Sequence, residues 1–272
     1  MTRPPVPLWQ APPADLLPRL QALLAAVARR PAAAPVAVFF RADDIGVPGR
    51  NLARLLATFA GHHVPLALAV VPAWLTSRRW QEIRALVAGV DPDLWCWHQH
   101  GWRHRNHQPA GRKEEFGAAR PEAKLRADLA KGRQRLAGIL GEAFFPAFTP
   151  PWNRMSETAL ALLPGLGLPV LSRWQGALPP AQPGVTELPV RVDLHTRRQS
   201  EPAAAAAILL EELAQGLAAD RCGIMIHHQR MNQAAFVFLD ALLAGLARLP
   251  GVRLVHFGHL LPEGWTSPTA PV

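Results

Sequence analysis

The chain has 272 residues, close to the roughly 250 of a single (β/α) barrel, and its formal charge of +9 comes almost wholly from arginine, since Lys113, Lys124 and Lys131 are the only lysines. The arginines are scattered rather than gathered in a stripe, which argues against a nucleic-acid partner, and no apolar run is long enough to span a membrane. Residues 1–10 carry Pro4, Pro5 and Pro7 and no continuous apolar segment of the kind a secretory leader needs, so a cytoplasmic location is expected.

A first helix is expected around Leu16 to Val27, with Pro18 tolerated in its opening turn. From there, apolar runs of strand length alternate with stretches of helical period. The expected strands are Val36 to Phe40, Leu66 to Val71, Leu94 to Trp97, Phe145 to Phe148, Pro169 to Ser172, Leu188 to Val192, Gly223 to Ile226 and Val252 to His256. Between them, Leu52, Leu55, Leu56 and Phe59 repeat at helical spacing, as do Leu125, Leu129, Leu136, Ile139 and Leu140, and each stripe faces a core. Pro179, Pro180, Pro183 and Gly184 mark a loop, because the alternation resumes directly after them. Cys96 and Cys222 fall inside apolar strands and read as buried thiols.

Strands alternating with helices predict an α/β fold with a parallel sheet. Eight strands and no glycine-rich phosphate loop favour a closed or nearly closed barrel over an open doubly wound sheet. One domain is expected, with its core over about residues 34–262 and flexible tails over 1–12 and 263–272.

Chemistry in such barrels gathers at the C-terminal ends of the strands. Arg41, Asp43 and Asp44 follow the first expected strand, and His98, His100, His104 and His107 follow the third. Pro150, Pro151, Trp152 and Asn153 follow the fourth, Arg173 and Trp174 the fifth, Asp193 and His195 the sixth, and His227 and His228 the seventh. Carboxylates and imidazoles thus converge on one rim. His62 and His63 precede the second strand and belong to the opposite rim, while His256 and His259, near the last strand, read as structural.

His100 and His104 are four apart, so one helical turn would bring both imidazoles to one side, where they could share a metal. Asp43 and Asp44 sit at a strand end, where adjacent side chains diverge. One carboxylate can then bind the metal while the other faces the attacking water. Two histidines and one aspartate leave coordination positions open, as a catalytic rather than structural site requires.

Together these motifs resemble the polysaccharide deacetylase superfamily, the NodB-homology hydrolases, in order from about Val36 to His228. Ala42-Asp43-Asp44-Ile45-Gly46 resembles the family's first motif, which implies Asp43 as general base and Asp44 as metal ligand. His100-Gly101-Trp102-Arg103-His104 resembles its two-histidine metal motif, with glycine where serine or threonine is usual. Thr149-Pro150-Pro151-Trp152-Asn153 resembles the third motif, a wall of the substrate groove, and Gly223 to His228 resembles the closing motif, an apolar strand ending in the catalytic His227.

The resemblance implies a deformed (β/α) barrel of seven or eight parallel strands, a divalent metal, zinc above all, and removal of an acetyl group from an N-acetylated carbohydrate or related small molecule. Thr149 stands where the family usually has an arginine that orients the base, and Arg173-Trp174 where it usually has an aspartate, so Arg41 and Arg173 become the candidates to supply the missing charge. Trp102, Trp152 and Trp174 are expected to offer apolar faces to a sugar. His195 with Asp193 is a reserve fourth ligand or supporting partner. A sugar-binding barrel without activity and a hydrolase of a non-sugar amide are the competing readings.

Overall fold

The computed structural model describes residues 4–29, 34–262 and 265. In chain order the elements are α1 (Pro7–Gln10), α2 (Leu16–Ala28), β1 (Val36–Ile45), α3 (Arg50–Gly61), β2 (Leu66–Val70), α4 (Ser77–Leu86), β3 (Trp95–His100), α5 (Glu122–Leu140), β4 (Phe144–Thr149), α6 (Glu157–Leu162) and β5 (Val170–Leu171). Then follow β6 (Thr186–Glu187), β7 (Val192–Asp193), α7 (Pro202–Gly216), β8 (Arg221–Ile226), α8 (Gln233–Ala247) and β9 (Val252–Val255). No helix among the described residues is long and apolar enough to cross a membrane.

The strands pair in parallel in the order β6-β5-β4-β3-β2-β1-β8-β7, and β9 also pairs with β1. This is the deformed (β/α) barrel. β1 is its axis: all ten of its residues are buried, as befits a parallel strand covered on both faces. Alternation sends Val36, Val38, Phe40 and Ala42 to the helix-covered side and Ala37 and Phe39 to the barrel interior, where they meet Ala67, Ala147 and Phe257. The small residues Ala37, Ala67 and Ala147 leave the interior room for the two phenylalanine rings, whose centroids lie 5.4 Å apart.

The helices close over the sheet by the stripes their sequences carry. Leu52, Leu55, Leu56 and Phe59 of α3 are buried, as are Leu125, Leu129, Leu136 and Leu140 of α5. Thr76, Ser156 and Asn232 cap α4, α6 and α8 by accepting main-chain N–H bonds from Arg79, Ala159 and Ala235. Pro18 lies in the first turn of α2, where its missing N–H has no partner to lose.

Two expectations need correction. The strand expected from Leu188 to Val192 is divided into β6 and β7, because Pro189 between them has no N–H to continue a ladder. Val190 N–H bonds to Arg173 O and Arg191 N–H to Gly223 O, so this segment passes from the β5 side to the β8 side and bridges the open edges of the sheet. The segment expected as a flexible tail over residues 1–12 is instead packed from α1 onward. Leu8 and Trp9 are fully buried, and the Trp9 indole donates to Leu194 O at 2.6 Å. Its prolines suggested a tail, but one buried indole outweighs them. The expected tail over 263–272 lies outside the described residues except for Trp265, whose ring meets Phe145.

β9 pairs only with the first half of β1, Val36 to Phe39, and β2 takes the same edge from Phe40 on. β9 therefore ends below the rim. That offset carries His256 and His259 to Asp93, just before β3, at the end of the barrel opposite the strand C-termini. His62 is likewise remote from the rim, bonded to Asp240 of α8 at 2.8 Å. Both cysteines are buried and unpaired, and burial pushes the Cys222 thiol up to about 12.

Candidate metal centre

The interior face of β1 continues from Ala37 and Phe39 to Arg41 and Asp43, two residues apart and both pointing into the barrel mouth. The fully buried Arg41 guanidinium grips Asp43 in a fork, Nε to Oδ1 and Nη2 to Oδ2, each 2.8 Å. Its remaining donors reach Ser172 O and Oγ at 3.0 and 2.9 Å and Asn153 Oδ1 at 2.8 Å. Burial works to raise the Asp43 pKa, but Arg41, with His100 and His227, overcomes it and holds the carboxyl below its usual range. Asp43 is therefore ionised at neutral pH.

Strict alternation would turn Asp44 away from its neighbour. The β1–β2 register instead slips between Ala42 and Ile45, and Asp44 takes a left-handed φ of 64°. Both carboxylates consequently face one cavity. The divergence expected of adjacent strand residues is undone by that bulge.

His100 closes β3 and His104 follows a tight turn, not a helical one: Gly101 has φ +61° and His104 φ 55°. The turn is braced from below by Glu115, which is fully buried and accepts main-chain N–H bonds from Trp102, Arg103 and His104 at 3.1, 2.7 and 3.2 Å. Glycine at 101 has a physical cause here. A Cβ at that position would run into the Glu115 carboxylate and the Pro151 ring. Gly101→Ser is therefore expected to displace Glu115 and loosen the His104 turn, lowering metal affinity by about 10-fold or more, as loss of supporting shells commonly does. Metal titration of the variant checks this, and parent-like affinity would remove the turn from the account.

The donor set fits a metal. His100 Nδ1 lies 2.9 Å from Thr149 O and donates to that carbonyl, so in the neutral ring the Nε2 lone pair faces Asp44 Oδ1 at 3.4 Å. His104 Nε2 stands 3.1 Å from the same oxygen. Asp44 Oδ1 is buried and accepts no hydrogen bond. A lone pair facing a carboxylate is repulsive unless a cation lies between them, either the proton that, against burial, Asp44 and Asp43 favour on His100 or a metal ion, whose tetrahedral ligands at about 2.0–2.2 Å would stand about this far apart.

The second group of possible ligands, Asp93, His256 and His259, does not fit. Nδ1 of His256 accepts the Gly258 N–H and Nδ1 of His259 accepts the His256 N–H, so each neutral ring carries its proton on Nε2, the atom turned toward Asp93. Those rings are donors to a carboxylate, not ligands.

A cavity of about 1050 Å³ opens above the centre, walled by Trp152, Asn153, Trp174, Asp193 and His227 together with the four residues Asp43, Asp44, His100 and His104. His104 packs between the rings of Trp152 and Trp74, at centroid distances of 4.6 and 5.7 Å. Among the described residues, five non-glycine positions have positive φ, and Asp44, His104, Trp152 and Asn153 are four of them. Such conformations persist only where the surroundings over-determine them.

Several expected residues stand elsewhere. Arg173 is buried and pairs with Glu187 at 2.7 Å and Pro179 O at 2.9 Å, so Arg41 alone supplies the charge beside Asp43. Trp102 packs toward the core between α5 and α6 rather than lining the cavity, and Pro151 is buried beneath Gly101. His98 lies below the centre, bonded to Thr149 Oγ1 at 2.9 Å, and burial pulls its pKa down to about 3. His107 is exposed and outside the cavity.

Asp193 accepts the N–H groups of His195 and Thr196, both at 2.9 Å, and so shapes the loop after β7. His195 is fully buried and accepts the His227 N–H at 3.2 Å, so it supports His227 rather than joining the ligands. His228 turns inward, and burial takes it down to about 4. His227 lines the cavity, with Nδ1 buried and unpartnered.

Glu115, Ser172 and Trp74 escaped the sequence reading. Glu115 sits in a Lys-Glu-Glu run that resembles any solvated face, and Ser172 acts only through Arg41. For Arg41 itself, Arg41→Met is expected to leave the Asp43 charge buried and unpaired, at a cost of about 3–5 kcal/mol. Denaturant unfolding measures it, and a loss under about 1 kcal/mol would mean the fork is not an ion pair.

No protein-family model matches the chain, and no curated protein does. Among solved structures, a protein assigned as a polysaccharide deacetylase from Mycobacterium smegmatis shares the fold with a TM-score of 0.60 at 18% identity, over 88% of this chain and 96% of that one. Another so assigned, from Pseudomonas aeruginosa, gives 0.57 at 17% identity, over 86% and 92%. A CE4 family pseudoenzyme from Bacillus anthracis gives 0.53 at 13% identity, over 85% of this chain and 66% of that one.

Proposed function

We propose that this chain is a metal-dependent deacetylase that removes an acetyl group from an N-acetylated carbohydrate or a related small molecule. The observation that carries the reading is the pair of Nε2 atoms of His100 and His104 turned to one unbonded oxygen of Asp44, beside an ionised Asp43 held by Arg41. Asp44, His100 and His104 would hold a divalent ion, zinc being suited to two nitrogens and one oxygen, which would supply Lewis-acid polarisation of an acyl carbonyl and acidify water.

The chain's own residues supply the rest. Asp43 is ionised and takes the proton of the attacking water, and the Arg41 fork fixes which oxygen faces the cavity. His227, across the cavity, gives a proton to the leaving nitrogen, with its backbone held by His195. Trp152 and Trp174 offer apolar faces to the sugar ring.

A sugar-binding barrel without activity is the competing reading, favoured by the likeness to a pseudoenzyme. Against it stands the Arg41–Asp43 fork, since a site that only binds sugar has no need of a buried ionised base. Acetate release from N-acetylated oligosaccharides, measured with zinc added and after chelation, tests the proposal. Release that zinc restores is expected. Full metal occupancy with no release would favour the binding barrel, and release only from acetylated amines that lack a sugar would assign a non-sugar amide.

A further inference from the structure

The cavity above the metal centre carries an imbalance of charge that deacetylation does not require. Six cations line it: Arg112 and Lys113 from the loop after β3, Arg154 after β4, Arg197 and Arg198 after β7, and Arg230 after β8. Of the lining carboxylates, three face a cationic or imidazole partner and two, Asp193 and Glu114, bond to neutral donors. Asp43 is held by Arg41, Asp44 faces the two histidines, Asp193 serves the turn at Thr196, Glu114 accepts from Gln108, and Glu212 pairs with Arg197 at 2.8 Å.

That leaves Arg112, Lys113, Arg154, Arg198 and Arg230 without a carboxylate partner among the described residues. Arg112 and Arg198 are each close enough to Arg154 to repel it. After burial, Arg112 and Arg198 are the main causes that hold the Arg154 pKa down, with Glu114 offsetting them only in part. Arg197 adds a further donor: its side chain is buried, and Nε has no acceptor. Like charges gathered from four separate loops around one cavity make its potential positive and draw an anion to it, although solvent screens the exposed Arg112, Lys113 and Arg198.

We propose that the substrate of this site carries an oxyanion-bearing group, a phosphate, sulfate or carboxylate, which the arginine collar binds while the acetyl group lies over Asp43 and Asp44. This rests on the deacetylase reading for the acetyl end alone; the anion site stands on the collar.

The test titrates the full chain with N-acetylglucosamine, its 6-phosphate, its 6-sulfate and N-acetylglucosaminuronic acid by calorimetry. At least one anionic sugar is expected to bind about 10-fold or more tightly than the neutral one, since a charge-assisted hydrogen bond is worth that much. Added salt should erode the preference. The double variant Arg154→Gln, Arg198→Gln should lose it, and Arg154→Lys, Arg198→Lys should keep most of it, with metal content and unfolding temperature confirming that both variants fold.

Whichever anion gains most identifies the group. Equal binding of all four sugars, or a preference that survives the glutamine variant, overturns the proposal, as does tighter arginine-dependent binding of an oligonucleotide. Failure of the deacetylase reading would appear separately, as a retained anion preference without acetate release.

Discussion

Asp44→Asn is expected to empty the metal centre, while Asp43→Asn keeps the metal and loses turnover by a factor of about 10²–10⁴. Asp44 Oδ1 is the atom that both histidine Nε2 atoms face, and an amide there brings no charge to balance a divalent ion. Asp43 is held away from that role by the Arg41 fork, and its amide replacement could not accept a proton. Asp43→Asn leaves the buried Arg41 charge with neutral acceptors only, Ser172 and Asn153 among them, so its unfolding temperature is measured beside turnover. Elemental analysis after dialysis, set beside acetate release, measures both effects. The opposite pattern would exchange ligand and base.

His227→Ala should lower hydrolysis of an N-acetyl sugar by a factor of about 10²–10⁴ with metal content unchanged. The discriminating measurement varies the leaving group. An amine must be protonated as it departs, whereas a nitrophenolate leaves without help. The variant should therefore keep most of its activity on nitrophenyl acetate. Equal losses on both substrates would show that His227 does something other than donate a proton. His228→Ala should affect turnover much less, because that ring is buried on the other side of the strand end, and a larger loss there would transfer the role.

Much of the barrel could be read directly, because its central strands are long and apolar. Val36 to Phe40, Leu66 to Val71 and Gly223 to Ile226 fall where strands form, and the leucine stripes of α3 and α5 face the core as their spacing requires. What failed was local. Pro189 divides one expected strand in a way that depends on which neighbours offer acceptors, and Trp9 anchors a proline-rich segment through a bond to a residue 185 positions away.

Residue types were enough to bring Asp43, Asp44, His100 and His104 forward together, and the structure places all four at one cavity, but only the family resemblance divided the two acids into base and ligand. The centre's geometry was not readable. The left-handed turn at Asp44 and the Glu115 brace under His104 are decided by tertiary contacts that leave no periodic trace. Between Arg41 and Arg173 the sequence offered no choice. The structure decides it, because Glu187 already holds Arg173.

Because Arg41 and Asp43 leave the same face of one strand, the base and the charge that orients it are fixed by a single backbone register. The two arms of the fork come from one strand, while Ser172 after β5 and Asn153 after β4 hold the guanidinium's other donors. Those contacts tie only the first residues of the loops after β4 and β5 to the base. Insertions beyond Asn153 and beyond Ser172 should change which molecule enters the cavity while leaving the base intact, which makes those outer stretches the places for a designer to alter its preference.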